Sequence, residues 1–500
     1  MHSRKSDPEL PLHLRPVFLI CLVLLLTVLK LWAASQSHFV EDEAYYRLWG
    51  LNPALGYFDH PPMIGWWIWA GQQLFGDTVL GVRFFVVLSS VVGSFFLWRT
   101  AVLLFDEQTA GWAVLFLNAS VLVGVGGILA TPDAPSVLFW GLALWALAEL
   151  VNSENPIWWL AVGLFAGLGV VSKYSVLFLG AGIVLWILWV PRSRRYFLSW
   201  QLWLGGAIAV AVMLPVIYWN YLHEWASFYK QFGRAGSGAL TLKYILEFFG
   251  GLIGLLNPII GMLAVFGFWK MLQGLRAQKP VEALLLLTIL PFLIYLTYHS
   301  LHARVQANWP APLFPTFALL AAAFVAGASR DIWRKAGAIG VSLGLAIALL
   351  VQIHAVYPLT GAPGRKDPTS QLRGWPEIGR TLDRIARDTG ASYVLTSGYG
   401  LNGQVAFLLK DSLPTYQFNE RIRYVMAEQP ERGGFENTGL YVAEERRDRS
   451  DSLKGRYRSV VEIARVPRTV RGIELEKLIV YEVNGLRGEP LDPVVTKPRK

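Results

Sequence analysis

The chain has very little cysteine and little charge for its length. Cys21 is the only cysteine among 500 residues, so an intrachain disulfide is excluded and the redox compartment is left open. Charged residues make up only 16% of the sequence, against 54% hydrophobic residues, and the mean hydropathy is +0.41. A soluble globular protein carries far more charge. The sequence also lacks a basic run interleaved with aromatic residues, so the net charge of +10 does not indicate nucleic-acid binding.

The charges that are present are unevenly distributed along the chain. After Val356 lie 24 of the 45 basic and 19 of the 35 acidic residues. The part before Val356 is correspondingly apolar, which is typical of helices that cross a bilayer. We therefore predict a membrane domain over 1–356 and a soluble domain over 357–500.

Apolar runs predict a multi-pass α-helical membrane protein with about eleven spans. Two short neighbouring runs could instead form one re-entrant pair. The first run follows basic residues and is longer than the apolar core of most signal peptides, so it predicts an uncleaved signal anchor. The runs lie near 16–33, 79–104, 110–129, 136–151, 157–172, 174–190, 200–219, 245–269, 281–298, 311–328 and 336–356.

Basic residues predict the orientation of these spans, because they favour cytoplasmic loops. With the N-terminus inside, the even-numbered connections become cytoplasmic, and they carry Arg192, Arg194, Arg195, Lys270, Arg276, Lys279, Arg330, Arg334 and Lys335. The first outer loop, 34–78, the turn at 131–133 and the loops at 218–243 and 299–310 then face outward. An odd number of spans also places 357–500 outside.

The pattern after Val356 changes and predicts a small α/β domain. The stretch 375–388 has apolar residues at helical spacing. The tail after Leu486 is rich in proline and charge and is predicted to be loose. Strands are predicted at 392–396, 439–442, 460–463 and 478–481.

Acidic residues on the predicted outer face are the first candidates for chemistry. Glu41, Asp42 and Glu43 are three adjacent carboxylates that repel one another, so a role as solvated helix caps explains them poorly. A carboxylate at the membrane face can instead take a proton from an attacking hydroxyl, as a general base does. Asp133 follows a Thr-Pro turn, and taken alone it is better explained as an acid in the first turn of the next helix.

Two cations on the outer face run against the positive-inside trend. Lys173 and Arg304 are each explained equally well by snorkelling toward the headgroup layer. Two together favour a shared anionic ligand, such as the phosphate of a lipid, which Arg binds in a bidentate manner and Lys as a point charge.

The histidines are too dispersed to predict a metal site. His302, with Arg304 and Asn308, is instead expected to donate hydrogen bonds to a phosphate or a sugar.

Six motifs in order on the predicted outer face resemble those of a known family. The chain resembles the bacterial branch of the dolichyl-phosphate-mannose–protein mannosyltransferase family, whose relatives include lipid A aminoarabinose transferases. The resemblance covers about 15–330 and extends to 373–375 and 419–424. The motifs are Glu41-Asp42-Glu43-Ala44-Tyr45-Tyr46, Gly56-Tyr57-Phe58-Asp59-His60-Pro61-Pro62, Phe75-Gly76-Asp77 with Gly81-Val82-Arg83, Thr131-Pro132-Asp133-Ala134-Pro135, Ser172-Lys173-Tyr174 and Val305-Gln306-Ala307-Asn308-Trp309-Pro310.

The resemblance implies a GT-C glycosyltransferase fold with amphipathic helices in the first outer loop and a periplasmic C-terminal domain. It also implies transfer of a sugar from a polyprenyl phosphate to an acceptor, with inversion, at the bacterial inner membrane. By motif position, Asp42 is expected to be the catalytic base or acceptor-positioning acid, with Glu43 beside it and Asp133 as the second acid of the site.

The resemblance assigns the donor site as well. Lys173 and Arg304 are expected to hold the donor phosphate and stabilise it as it leaves. Asp59 and His60 are expected to shape the sugar site. Some relatives use a divalent cation near the acids, but this sequence shows no recognisable ligand set, so no cofactor is predicted.

Three rival functions use similar sequence features. A secondary transporter has about as many spans but shows internal repeats or mid-span charges, which are not evident here. An oligosaccharyltransferase is expected to carry Trp-Trp-Asp in its soluble domain, and this chain does not. A non-catalytic polyprenyl-lipid-binding protein has no need of Asp42. The sequence leaves open the sugar and whether the acceptor is a lipid, a glycan or a protein.

Overall fold

A computed structural model of the protein describes residues 10–233, 239–360 and 364–496. Up to Val356, the described chain is predominantly helical. The helices are α1 (Pro16–Gln36), α2 (Glu41–Leu51), α3 (Met63–Phe75), α4 (Val79–Leu104), α5 (Glu107–Ala119), α6 (Val121–Gly124), α7 (Asp133–Ser153), α8 (Trp158–Val170), α9 (Leu177–Trp189), α10 (Trp200–Leu222), α11 (Ala226–Phe232), α12 (Lys243–Leu256), α13 (Pro258–Arg276), α14 (Pro280–Ser300), α15 (Phe314–Ala326) and α16 (Asp331–Val356).

Several of these helices have the length and composition of membrane spans. In the described ranges, seven helices qualify, and two bent pairs bring the number to nine. One pair bends by 62° between α5 and α6, and the other by 113° after α9. α8 and α15 are shorter apolar helices. The multi-pass helical class is thereby confirmed, and the total of eleven spans stays a prediction.

Two details of the helical part differ from the sequence interpretation. The apolar run 245–269 is divided between α12 and α13, because Asn257 has a φ of 77° and its side chain accepts the N–H of Ile259. Pro258 then begins α13, where a missing N–H costs nothing. The first outer loop holds two helices, α2 and α3, where the resemblance implies helices. Its three carboxylates, which the sequence interpretation did not explain as helix caps, nevertheless occupy the first turn of α2.

The C-terminal part forms one five-stranded sheet with two helices. The strand order is β2-β1-β3-β5-β4, with β1 parallel to β2 and β3, and with β5 antiparallel to β3 and β4. The predicted α/β character is confirmed, whereas α18 and β2 were not anticipated. The elements are α17 (Trp375–Thr389), β1 (Val394–Thr396), α18 (Tyr399–Leu408), β2 (Thr415–Gln417), β3 (Gly439–Glu444), β4 (Tyr457–Val470) and β5 (Ile473–Leu486).

Helix α18 joins the two parts of the molecule by packing on α2. At Gly403 the two helices approach so closely that an added Cβ would lie 2.4 Å from the carbonyl carbon of Ala44. The Gln404 side chain donates a hydrogen bond of 2.8 Å to the carbonyl of Phe39, just before α2. Glycine at this crossing therefore permits the first turn of α18 to lie beside the carboxylates of α2.

Candidate active site

A cavity of about 630 Å³ lies where the first outer loop, α7, α9, α11, α14 and α18 meet. Its lining combines charged and aromatic side chains. The charged ones are Asp42, Asp59, Asp133, Lys173, Lys230 and Arg423, and the aromatic ones are Tyr45, Tyr46, Tyr174, Phe178, Phe232, Phe292, Tyr295, Trp309 and Tyr399. The cavity thus offers polar groups and an apolar surface to the same ligand.

Asp42 is the carboxylate of the cavity that has no cationic partner among the described residues. Its Oδ1 accepts a hydrogen bond of 3.0 Å from the hydroxyl of Tyr399, and it makes no ion pair within the described part of the chain. Burial raises the pKa of Asp42, and the nearby carboxylates add to that rise, whereas the bond from Tyr399 lowers it. The remaining lone pairs of this carboxylate are available to a ligand.

Asp59 is held by two cations from distant parts of the chain. Lys230 of α11 pairs with its Oδ1 and Arg423 of the C-terminal domain with its Oδ2. The hydroxyl of Tyr45 also donates to Oδ2 at 2.9 Å. Burial raises the pKa of Asp59, but Arg423 and Lys230 more than offset that effect and lower it to about 2. Asp59 therefore stays ionised and fixes both cations at the cavity wall.

Asp133 is likewise saturated by donors. Lys173 reaches its Oδ1 at 2.5 Å, and the amide of Asn308 donates to its Oδ2 at 2.6 Å. Three predicted site residues from separate loops are thereby brought together. With its oxygens occupied, Asp133 is suited to orient Lys173 and Asn308 rather than to take a proton.

His60 lines the same cavity. Its ring lies edge-on to Tyr46, with centroids 6.1 Å apart. Burial lowers the pKa of His60 to about 4, and the charge of Asp59 only partly opposes this effect. At neutral pH the imidazole is therefore uncharged and can both donate and accept hydrogen bonds, as a group that contacts sugar hydroxyls needs to do.

Glu43 does not line the cavity, contrary to its prediction as a catalytic neighbour of Asp42. Its side chain and that of Arg83 are both fully buried and form a two-point ion pair, with N–O distances of 2.7 and 2.6 Å. Glu43 also accepts the backbone N–H groups of Val40 and Ala130. Because every contact is internal, Glu43 fixes the start of α2 against α4 and the Ala130 loop.

Arg304 and His302 also lie outside the cavity lining. The Arg304 side chain is 66% exposed and pairs with Glu247 at 3.0 Å. His302 is partly exposed, and its ring nitrogen lies 3.0 Å from the carbonyl of Tyr298. The structure therefore does not bring Arg304 to Lys173, and the prediction that both hold one phosphate lacks a shared location. Lys230 and Arg423 supply cations inside the cavity instead.

The aromatic wall of the cavity is built from membrane helices. Phe178 of α9 stacks on Phe292 and Tyr295 of α14, with ring centroids 5.3 and 4.9 Å apart. Such a wall can accept the first isoprenoid units of a lipid chain, while the charged groups bind a polar head.

The site prediction missed Arg423, Lys230 and Tyr399, which all line the cavity. Arg423 lies in the 419–424 motif, so its family resemblance was a usable signal, although no role was assigned to it. Lys230 lies in the loop 218–243 that the charge pattern places outside, so its position on the predicted outer face was a usable signal. Tyr399 carries no such signal, because a tyrosine between two strands is unremarkable.

In the described ranges, no three His, Cys, Asp or Glu side chains group as a metal site.

The sequence of the chain is similar to those of known glycosyltransferases. Residues 59–219 match the family of dolichyl-phosphate-mannose-protein mannosyltransferases. The chain is 24% identical over 388 residues to the lipid A galacturonosyltransferase RgtD of Rhizobium johnstonii, covering 76% of this chain and 79% of that protein. It is 26% identical over 364 residues to the undecaprenyl phosphate-alpha-4-amino-4-deoxy-L-arabinose arabinosyl transferase 2 of Pseudomonas fluorescens, covering 68% of this chain and 64% of that one.

The fold has a close counterpart among solved structures. It is similar to ArnT from Cupriavidus metallidurans, crystallised with undecaprenyl phosphate, with a TM-score of 0.66, 14% identity, and coverage of 95% of this chain and 99% of that one. The fold is that of the GT-C glycosyltransferases, and the sequence matches are to glycosyltransferases. Within that class, the resemblance to the protein mannosyltransferase family and the lipid A aminoarabinose transferases is confirmed.

Proposed function

We propose that the protein transfers a sugar from a polyprenyl-phosphate donor to a lipid acceptor at the outer face of the bacterial inner membrane, with inversion. Asp42 acts as the base for the acceptor hydroxyl. In this arrangement the C-terminal domain lies in the periplasm, where the donor sugar, the acceptor and the cavity meet.

The observation that carries this proposal is the unequal pairing of the three cavity carboxylates. Asp59 and Asp133 each have cationic partners, whereas Asp42 accepts one hydrogen bond from a neutral phenol. A carboxylate without a cation keeps its basicity, and partial burial strengthens it further. General-base catalysis requires such a group within reach of the substrate hydroxyl.

The donor fits the amphiphilic lining of the cavity. Lys173 reaches the cavity at the foot of the aromatic wall, since Tyr174 and Phe178 follow it in the chain. A phosphate beside Lys173 leaves its polyprenyl chain against Phe178 and Phe292, and its sugar among His60 and the other polar groups. The aromatic and the polar side chains of the lining would thus contact different parts of one donor molecule.

The transfer step uses Asp42 and Lys173 on the acceptor and the donor phosphate. The acceptor O–H gives its proton to the Asp42 carboxylate while the acceptor oxygen forms a bond to the anomeric carbon. The bond from that carbon to the donor phosphate breaks, and its electron pair leaves with the phosphate oxygen. Lys173 stabilises the charge that develops there. Attack on the face opposite the leaving phosphate inverts the anomeric centre.

The relatives suggest which acceptor to try first. Those named above act on lipid A or use an aminoarabinosyl undecaprenyl phosphate. We therefore favour a membrane glycolipid as the acceptor over a protein or a soluble glycan. A secondary transporter and a non-catalytic lipid-binding protein are the competing functions, and neither explains a basic carboxylate left without a cation.

The test is transfer by the purified protein in proteoliposomes. Undecaprenyl phosphate carrying radiolabelled galacturonic acid or aminoarabinose is offered with lipid A. We expect the label of one donor to move to lipid A in a new covalent product that mass spectrometry identifies. Recovery of both donors chemically intact, whether bound or moved across the membrane, would overturn the proposal. Mass spectrometry of envelope lipids from cells with and without the protein provides the parallel test in vivo.

A further inference from the structure

Tyr399 is the residue through which the C-terminal domain touches the proposed base. It is the first residue of α18, and its hydroxyl donates to Asp42 Oδ1 at 3.0 Å. This is the hydrogen bond that Asp42 accepts in the described chain, and it joins residues 357 positions apart. The orientation of the Asp42 carboxylate is therefore set by a domain outside the membrane bundle.

The position of this tyrosine is fixed by the packing of α18 on α2. Added Cβ atoms at Gly400 and Gly403 would lie 2.7 Å from the side chain of Glu41 and 2.4 Å from the backbone of Ala44. These contacts lie on both sides of Asp42 in the chain. The two helices are thus held at a distance that fits the Tyr399–Asp42 hydrogen bond.

A second contact holds the tyrosine ring itself. The Arg423 guanidinium lies over the Tyr399 ring, 4.7 Å from its centroid, and the same side chain pairs with Asp59 across the cavity. A cation over an aromatic face is attracted to it, most strongly when both are withdrawn from water. The ring is therefore fixed by Arg423 and its hydroxyl is free to serve Asp42.

We propose that Tyr399 is a positioning residue for the transfer reaction, which orients the Asp42 carboxylate and keeps it ionised for attack. The C-terminal domain is thereby part of the catalytic centre. This inference rests on the proposed role of Asp42 and adds the group that controls it.

The electrostatic surroundings explain why Asp42 needs such a donor. Burial raises its pKa, and the charges of Asp59, Asp133 and Glu43 raise it further, so without help the carboxyl would hold its proton more tightly. The hydrogen bond from Tyr399 acts in the opposite direction because it favours the ionised form. The other titratable or cationic groups that line the same cavity are His60, Lys173, Lys230, Arg423, Tyr45, Tyr46, Tyr174 and Tyr295.

The direct test is the pH dependence of transfer by Tyr399→Phe. Since the hydroxyl lowers the pKa of Asp42, its loss should move the acid limb of the kcat/KM profile to higher pH. Because the lost hydrogen bond is made to a charged group, kcat should fall by about tenfold or more. The apparent KM for the donor should stay unchanged. Tyr393→Phe is the matched control, because it removes a hydroxyl that is buried in the same domain and bonds to Phe435, outside the cavity.

A second variant separates positioning from folding. A fluorinated tyrosine at 399 keeps the shape of the ring but donates a stronger hydrogen bond, so it should move the acid limb to lower pH. Opposite shifts in the two variants would establish the role, since a merely structural contact moves neither limb. Unchanged pH profiles in both, with active wild-type protein, would overturn this inference alone. Inactivity of the wild-type protein would instead count against the proposed function.

Discussion

Asp42 and Glu43 are neighbours in the chain but lie in two different electrostatic regions. Glu43 enters a buried region, where Arg83 pairs with both of its oxygens and Ala130 donates a backbone N–H. Asp42 enters the cavity, where its hydrogen-bond partner among the described residues is the hydroxyl of Tyr399. The same type of side chain is thus used for folding in one region and left available for chemistry in the other.

The difference shows how the first turn of α2 serves both purposes. Arg83 also holds the two residues that follow α1. It donates hydrogen bonds to the carbonyl of His38 at 2.6 Å and to the hydroxyl of Ser37 at 2.8 Å. Because a buried charge is tolerated only when it is paired and hydrogen-bonded, this cluster fixes the local backbone firmly. The adjacent Asp42 gains a defined position without giving up its free oxygen.

The largest effect on stability is expected at Glu43. Glu43→Gln leaves the Arg83 guanidinium buried without its counter-charge, and breaking a buried pair in this way costs about 3–5 kcal/mol. The melting temperature of the purified protein should fall markedly. Glu377→Gln, which alters an exposed pair with Arg380 on α17, is the control and should change little. Equal melting temperatures for wild type and Glu43→Gln would show that the two regions do not differ as described.

A smaller effect, on donor binding, is expected at Lys173. Lys173→Ala removes a cavity cation that precedes Tyr174 and Phe178 in the chain. A lost hydrogen bond to a charged phosphate is worth roughly 1.5–3 kcal/mol. Donor affinity should fall accordingly, measured by binding of labelled polyprenyl phosphate. Lys335→Ala, which alters an exposed pair with Asp331, should bind as the wild type does. Wild-type donor affinity combined with lower stability would make Lys173 only a structural partner of Asp133.

Asp59 lines the cavity, as Asp42 does, but is ion-paired, as Glu43 is. Its contribution to stability depends on pH. Because its folded pKa of about 2 lies below the ordinary 3.8, its ion pairs contribute stability that is present above 3.8 and is lost as the pH falls toward 2. The contribution is on the order of 2 kcal/mol. Asp59→Asn should lower stability at neutral pH and flatten that part of the acid-unfolding curve. A variant whose curve keeps the wild-type slope would contradict the pairing with Arg423 and Lys230.

The smallest effect is expected at Arg304. The sequence interpretation predicts that Arg304→Ala weakens donor use, whereas the structure places this residue outside the cavity on Glu247. We now expect unchanged donor affinity and turnover, because an exposed ion pair contributes little. Titration of the donor against the variant decides between the two. A rise in the donor KM would return Arg304 to the phosphate site.

Asp42 could be predicted as a site residue from local features of the sequence. A predicted span is followed by adjacent acidic residues and then by aromatic residues. Lys173 and Asn308 were predicted for the same reason, as polar residues beside apolar runs on the predicted outer face. The division of labour between Asp42 and Glu43 could not be predicted, since it depends on Arg83 reaching the start of α2 from α4.

Tyr399 lay beyond prediction for a related reason. Its role follows from the docking of α18 on α2, and pairing between residues so distant in sequence has no local signature. Arg304 shows the converse case: a cation predicted on the same face lies outside the cavity lining and pairs with Glu247. The predicted membrane face of a residue therefore says less about whether it belongs to the site than the packing of the helices around the cavity does.

The most direct measurement is a single turnover of Asp42→Asn with the donor already bound. The change keeps the size of the side chain and removes its charge and basicity. Donor affinity should remain near that of the wild type, while transfer to the acceptor lipid falls by roughly 100- to 10,000-fold. Transfer at the wild-type rate would contradict the account outright. Loss of donor binding together with transfer would make Asp42 a residue that shapes the site and would leave the base unassigned.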